Sequence, residues 1–143
     1  MYSTPADLAK LLPEHEIMQL TDDPRVNDIN DPVIQGILTE AIDQADREID
    51  GFVGCVRSIP LDPVPALITN ISSKLAGHYL WLRRPGVDEP EPWREETKYM
   101  RRLLQLIAEG KLAIGPEEGG VAEAQQATVW ATSGVRQFTR EGL

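Results

Sequence analysis

Apolar residues recur at the 3.6-residue helical period in three long stretches of the chain. The clearest begins after Asp31-Pro32, a capping residue and then a proline suited to the first helical position. It carries Ile34, Ile37, Leu38, Ala41, Ile42, Ala45, Ile49, Phe52 and Val53 and predicts a helix over 32–54. Pro32 to Val53 would span about 33 Å at 1.5 Å per residue. Its outer face is predicted to hold Glu40, Asp43, Asp46, Arg47, Glu48 and Asp50. Arg57–Pro65 holds three prolines and reads as a linker. A second helix is predicted over 66–84 from Leu67, Ile68, Ile71, Leu75, Tyr79, Leu80 and Leu82, stopped by Pro85-Gly86. After an acidic, proline-rich hinge at Val87–Pro92, a third is predicted over 93–109, with Gly110 as its stop. Two short helices precede these: one opened by Ser3-Thr4-Pro5, and one over Glu14–Leu20.

This pattern predicts an all-α fold: a small bundle of three longer helices with short N-terminal helices, over residues 1–115. Ile34, Ile37, Leu38, Ile42, Ile49, Leu67, Ile71, Leu75, Met100, Leu103 and Ile107 are the predicted interior. Residues 116–143 lose the period. Glu117–Gln126 offers little to bury, and Trp130, Val135 and Phe138 come after it without a helical face. They read as an extended C-terminal tail that orders on a partner, with Trp130, Val135, Arg136, Phe138 and Arg140 as its contact residues.

Composition narrows the function. The chain has 143 residues, enough for one domain with a real core, and 26% of them are charged. No apolar run is long enough to span a membrane, and the first residues lack the basic and apolar regions of a secretory signal. The net charge is −9, and residues 1–63 carry all of it, with 13 carboxylates against 4 cationic side chains. That half repels nucleic acid phosphate. Asp22, Asp23, Asp28, Asp43, Asp46 and Asp50 are the candidates for an acidic surface.

Catalytic and metal signals are weak. His15 reads as a surface residue and His78 as flanking the core or an interface. Neither has a ligand partner at helical spacing, so no metal site is predicted. Cys55 reads as a small buried hydrophobe, and a Cys55–His78 pair is only a pairing of residue types. The Asp22–Asp31 loop lacks the glycine and alternation of a calcium loop, and no phosphate-binding glycine motif occurs. No cofactor is expected. Arg83-Arg84 and Arg101-Arg102 lie near acidic residues, which favours intrahelical or inter-subunit pairing. Trp81 and Trp93 read as core residues.

The start Met1–Leu8 with Ile17–Asp22 after it, the helix Ala41–Phe52 and the linker Ile59–Pro65 resemble the Mu-like phage virion protein family. So do Leu103–Gly115 and the ending Phe138–Leu143, so the resemblance covers nearly the whole chain. It implies a non-enzymatic head–tail connector, an adaptor or head-completion protein of the virion neck, assembled in the host cytoplasm. Such a protein forms a homo-oligomeric ring of twelve subunits beneath the portal protein and meets a stopper or tail-completion protein. Genome DNA passes through its channel without sequence-specific binding. A small helical nucleic-acid-binding regulator is the rival reading. It needs a basic recognition face, and the best candidate, Arg94–Arg102, also carries Glu95 and Glu96.

Overall fold

The computed structural model describes residues 1–21, 25–26 and 28–115. The predicted tail, 116–143, lies outside them. Among the described residues there are five helices and no strands: α1 (Pro5–Leu11), α2 (Glu14–Thr21), α3 (Pro32–Val53), α4 (Ala66–Arg83) and α5 (Glu91–Ala108). The all-α prediction is correct, and the long helices begin and end within two residues of their predicted limits.

Each end has a local cause. Thr4 and Asp7 form a reciprocal capping box at α1: the Thr4 side chain accepts from Asp7 N (3.3 Å), and the Asp7 carboxylate accepts from Thr4 N (2.9 Å). Hydrogen bonds from Thr4, its backbone N–H first, hold the Asp7 carboxyl below its usual range. Thr4→Ala is expected to cost about 1 kcal/mol, read as a shift in the denaturation midpoint at constant slope. Asp31 caps α3 by accepting from Val33 N at 2.9 Å, with Pro32 at the first position. α5 starts at Glu91, so Pro92, predicted to belong to the hinge, sits in its first turn, where a missing N–H costs nothing. Its other end closes on Gly110, at φ +76°, as Gly110 N donates to Ile107 O (3.0 Å) and Lys111 N to Leu106 O (2.8 Å).

α4 is the centre of the unit and packs against each of the other four helices. That position explains why it is buried on more than one side: Ile68, Ile71, Leu75 and Leu80 are joined inside by Ser72, Ser73, Ala76 and Gly77. A Cβ on Gly77 would lie 2.5 Å from ring carbons of Trp93, so the absent side chain is what lets the indole seat against α4. α3 buries Ile34, Leu38, Ile42, Ala45 and Ile49 in this core, and α5 buries Met100, Leu104 and Ile107. Leu8, Leu12, Ile17 and Leu20 close the core from the N-terminal helices.

Three predicted interior residues are not fully buried. Ile37, Leu67 and Leu103 are half-buried at the edge of the core, and the residue next in sequence to each, Leu38, Ile68 and Leu104, takes the core position. Adjacent residues on a helix differ by about 100°, so one of each apolar doublet must turn outward. Leu82, placed in the apolar set of α4, is 60% exposed.

Candidate functional site

Among the described residues, two internal clusters of polar and ionisable side chains stand out. The first joins the N-terminal residues to α3 and α4. The Asp46 carboxylate accepts from Tyr2 N (2.8 Å) and from Ser72 Oγ (2.7 Å), and Ser72 Oγ also meets Ser3 Oγ (2.8 Å). The Tyr2 hydroxyl donates to Asp50 and accepts from Leu61 N (3.1 Å), which ties the proline-rich linker to the same point. Tyr2, Ser3, Asp46, Leu61 and Ser72 are all buried. Burial, and after it the hydrogen bond to Asp50, pushes the Tyr2 phenol up to about 12.

The sign of that shift gives a pH prediction. The folded state holds the Tyr2 proton more tightly than the unfolded chain, so its contribution is complete below pH 10.0 and is lost as pH rises toward about 12. An alkaline titration monitored by circular dichroism should show stability falling over that window. In Tyr2→Phe this component of the fall should be missing. An unchanged alkaline profile in Tyr2→Phe would contradict the assignment.

The second cluster spans α3, α4 and α5. Glu48 accepts from Arg101 Nε (2.7 Å), from the second Arg101 guanidinium nitrogen (3.2 Å) and from the Tyr79 hydroxyl (2.7 Å). Burial raises the Glu48 pKa, but the hydrogen bonds from Arg101 and Tyr79 outweigh it, and the carboxyl ends below its usual range. Tyr79 is raised by burial and by its bond to Glu48, and Arg101 is raised by its bonds to Glu48. All three shifts lead away from neutrality, the reverse of the tuning that proton transfer near pH 7 requires. Beside them His78 Nδ1 meets Glu89 Oε2 at 2.7 Å, with only 12% and 8% of the two side chains exposed. This contact fastens the α4–α5 connection to α4.

The structure separates the predicted site residues. Asp46, predicted on an outer acidic face, is instead buried, because its position in α3 falls within the stripe formed by Ile42, Ala45 and Ile49. Asp50 is half-buried and accepts from Tyr2, and Glu48 is turned toward α5. Asp43 is half-buried and Asp28 exposed. Asp22 and Asp23 lie outside the described residues, as do Trp130, Val135, Arg136, Phe138 and Arg140. Cys55, expected to be buried, is exposed in the turn after α3, with Sγ 3.8 Å from Gly51 O. His78 is held by Glu89, so the structure does not pair it with Cys55. His15 is on the surface, Trp81 is buried, and Trp93 is half-buried against Gly77.

Three of the four arginines in the basic pairs are engaged within the chain, and Arg102 is exposed. Arg83 donates to Thr21 O (3.0 Å) and Leu20 O (3.4 Å), and Arg84 donates to Gln19 O, so both cap the last turn of α2. Arg101 is the clamp on Glu48. These bonds run between elements of the chain rather than within one helix. No group of three His, Cys, Asp or Glu among the described residues is arranged to hold a metal ion. No helix among them is long and apolar enough to cross a membrane.

Of the open surfaces, one cleft lies between α3 and α4. It has a volume of about 330 Å³ and is lined by Ile37, Glu40, Ala41, Gln44, Tyr79, Leu80, Leu82 and Arg83.

The Bacteriophage Mu, Gp36 family matches residues 2–132, most of the chain. The chain belongs to that family. No curated protein matches it. Membership makes it a Mu-like phage protein, of the structural and morphogenetic class and associated with the virion. The match takes in all five described helices of the Gp36-family chain and the predicted contact residue Trp130.

Proposed function

We propose that the chain is a neck adaptor: a non-enzymatic ring protein, of twelve subunits, that sits beneath the portal and joins the head to a stopper or tail-completion protein. The genome passes through its channel, which makes the head–tail junction its place in the virion. The observation that supports this reading is the internal commitment of the ionisable groups that lie between the helices. Asp46, Glu48, His78, Glu89 and Arg101 all bond within the chain and tie the N-terminal residues, α3, α4 and α5 together. Such a unit is suited to bearing load in an assembly rather than to turning over a substrate. Of the acidic channel candidates, Asp28 and Asp43 keep a place on the outside. In this reading the C-terminal residues supply contacts beyond the helical unit, to the portal and to neighbouring copies.

The test is co-purification with the portal of the same phage, then electron microscopy and mass measurement. A twelve-fold ring seated on the portal is the expected result. A chain that stays monomeric beside the portal, or that immunogold labelling places away from the neck, overturns the proposal. The rival regulator reading predicts salt-sensitive binding to duplex DNA in a mobility-shift assay. The capping of α2 by Arg83 and Arg84 argues against it.

A further inference from the structure

The α3–α4 cleft is open in the single chain. Leu82 on its lip is 60% exposed, Ile37 is half-buried, and Ala41 and Leu80 form an apolar floor. Leu82 is among the most exposed large apolar residues described, and with Ile37, Ala41 and Leu80 it gives this cleft of about 330 Å³ an apolar lip and floor. One rim has a charge to offer. Glu40 is exposed and has no ion-pair or hydrogen-bond partner among the described residues. On the opposite rim Arg83 is engaged by the terminal carbonyls of α2. The cleft therefore asks for an occupant with large apolar side chains and a cation.

The chain carries such a segment. Between Glu123 and Glu141 there is no acidic residue, and Trp130, Val135 and Phe138 are interleaved with Arg136 and Arg140. Trp130 lies fifteen residues beyond Gly115, a reach of up to about 50 Å when extended. That is enough to leave one folded unit and enter another. We propose that residues 129–140 of one copy dock in the α3–α4 cleft of a second copy. An aromatic side chain, Trp130 or Phe138, enters beside Leu82, and Arg136 pairs with Glu40. A ring sets copies of the chain side by side, and on that reading the occupant comes from a second copy.

The inference rests on the ring reading, and its test reads contacts between copies rather than contact with the portal. Full-length chain with the photo-crosslinker p-benzoylphenylalanine replacing Leu82 is mixed in equal parts as unlabelled and ¹⁵N-labelled protein, irradiated and digested. Mixed-isotope crosslinks from position 82 to residues 129–140 are the expected result. Same-isotope crosslinks alone would show a segment folding back on its own chain. Crosslinks into the helical unit of the other copy would show a different occupant, and no crosslinks would show an empty cleft; each of the three overturns the proposal.

A charge swap gives a second reading. Glu40→Arg or Arg136→Glu alone should weaken self-association in sedimentation by about tenfold, and the two together should restore it. Glu40 is exposed, so its change leaves the core untouched, and the circular dichroism of the Glu40→Arg variant should be unchanged. Equal loss in the double variant would sink the pairing. Should the crosslinks be absent while the portal complex still forms, the neck-adaptor reading stands and this one fails.

Discussion

Asp46→Ala is expected to lower the stability of the helical unit by about 2–5 kcal/mol, far more than an acidic residue on the outside of a helix would. The carboxylate is the shared acceptor for Tyr2 N at 2.8 Å and Ser72 Oγ at 2.7 Å, and Ser3 is attached through Ser72. Alanine would leave a buried N–H and a buried hydroxyl with their acceptor gone, and each loss costs about 1–3 kcal/mol. Asp46→Asn keeps one acceptor oxygen and should cost less. Asp43→Ala is the control: its carboxylate is half-buried, nothing among the described residues bonds to it, and its effect should stay within about 0.5 kcal/mol. Urea midpoints for the three variants at neutral pH decide the matter. Equal midpoints for Asp46→Ala and Asp43→Ala would show that the Asp46 network contributes nothing.

The contrast between Asp43 and Asp46 shows where sequence reading works and where it stops. The α3 stripe is legible because Ile34, Leu38, Ile42 and Ile49 repeat at helical spacing and Asp31-Pro32 marks the start. The same spacing holds a signal that the outer-face assignment overlooks. Asp46 lies four residues after Ile42 and three before Ile49, inside the stripe, and a carboxylate there needs a buried partner. Ser72 and Ser73 interrupt the α4 stripe in the same way. What pattern alone does not supply is the pairing, because Tyr2 and Asp46 are 44 residues apart and Glu48 and Arg101 are 53 apart. Nor does periodicity settle the doublets Leu67-Ile68 and Leu103-Leu104, where either residue fits a helical stripe and only the position of the neighbouring helix chooses. Cys55 departs from expectation for a related reason: its residue type favours burial, but it falls in the turn beyond the last core contact of α3, Val53.

Ile42→Ala and Leu104→Ala should each cost about 2–5 kcal/mol, because both side chains are fully buried and their loss adds a cavity to the lost transfer free energy. Ile42 lies midway along α3 and is fully buried, so the surrounding helices can close only part of the space it vacates. Leu103→Ala should cost roughly 1 kcal/mol or less, since the half-buried side chain leaves a dent open to water rather than a void. If the phase read from apolar spacing alone were right, with Leu103 inside and Leu104 outside, the order of the two α5 variants would reverse. Chemical denaturation of Ile42→Ala, Leu103→Ala and Leu104→Ala therefore reports the rotation of α5 directly. A Leu103→Ala midpoint below that of Leu104→Ala would mean that α5 presents a different face to α4.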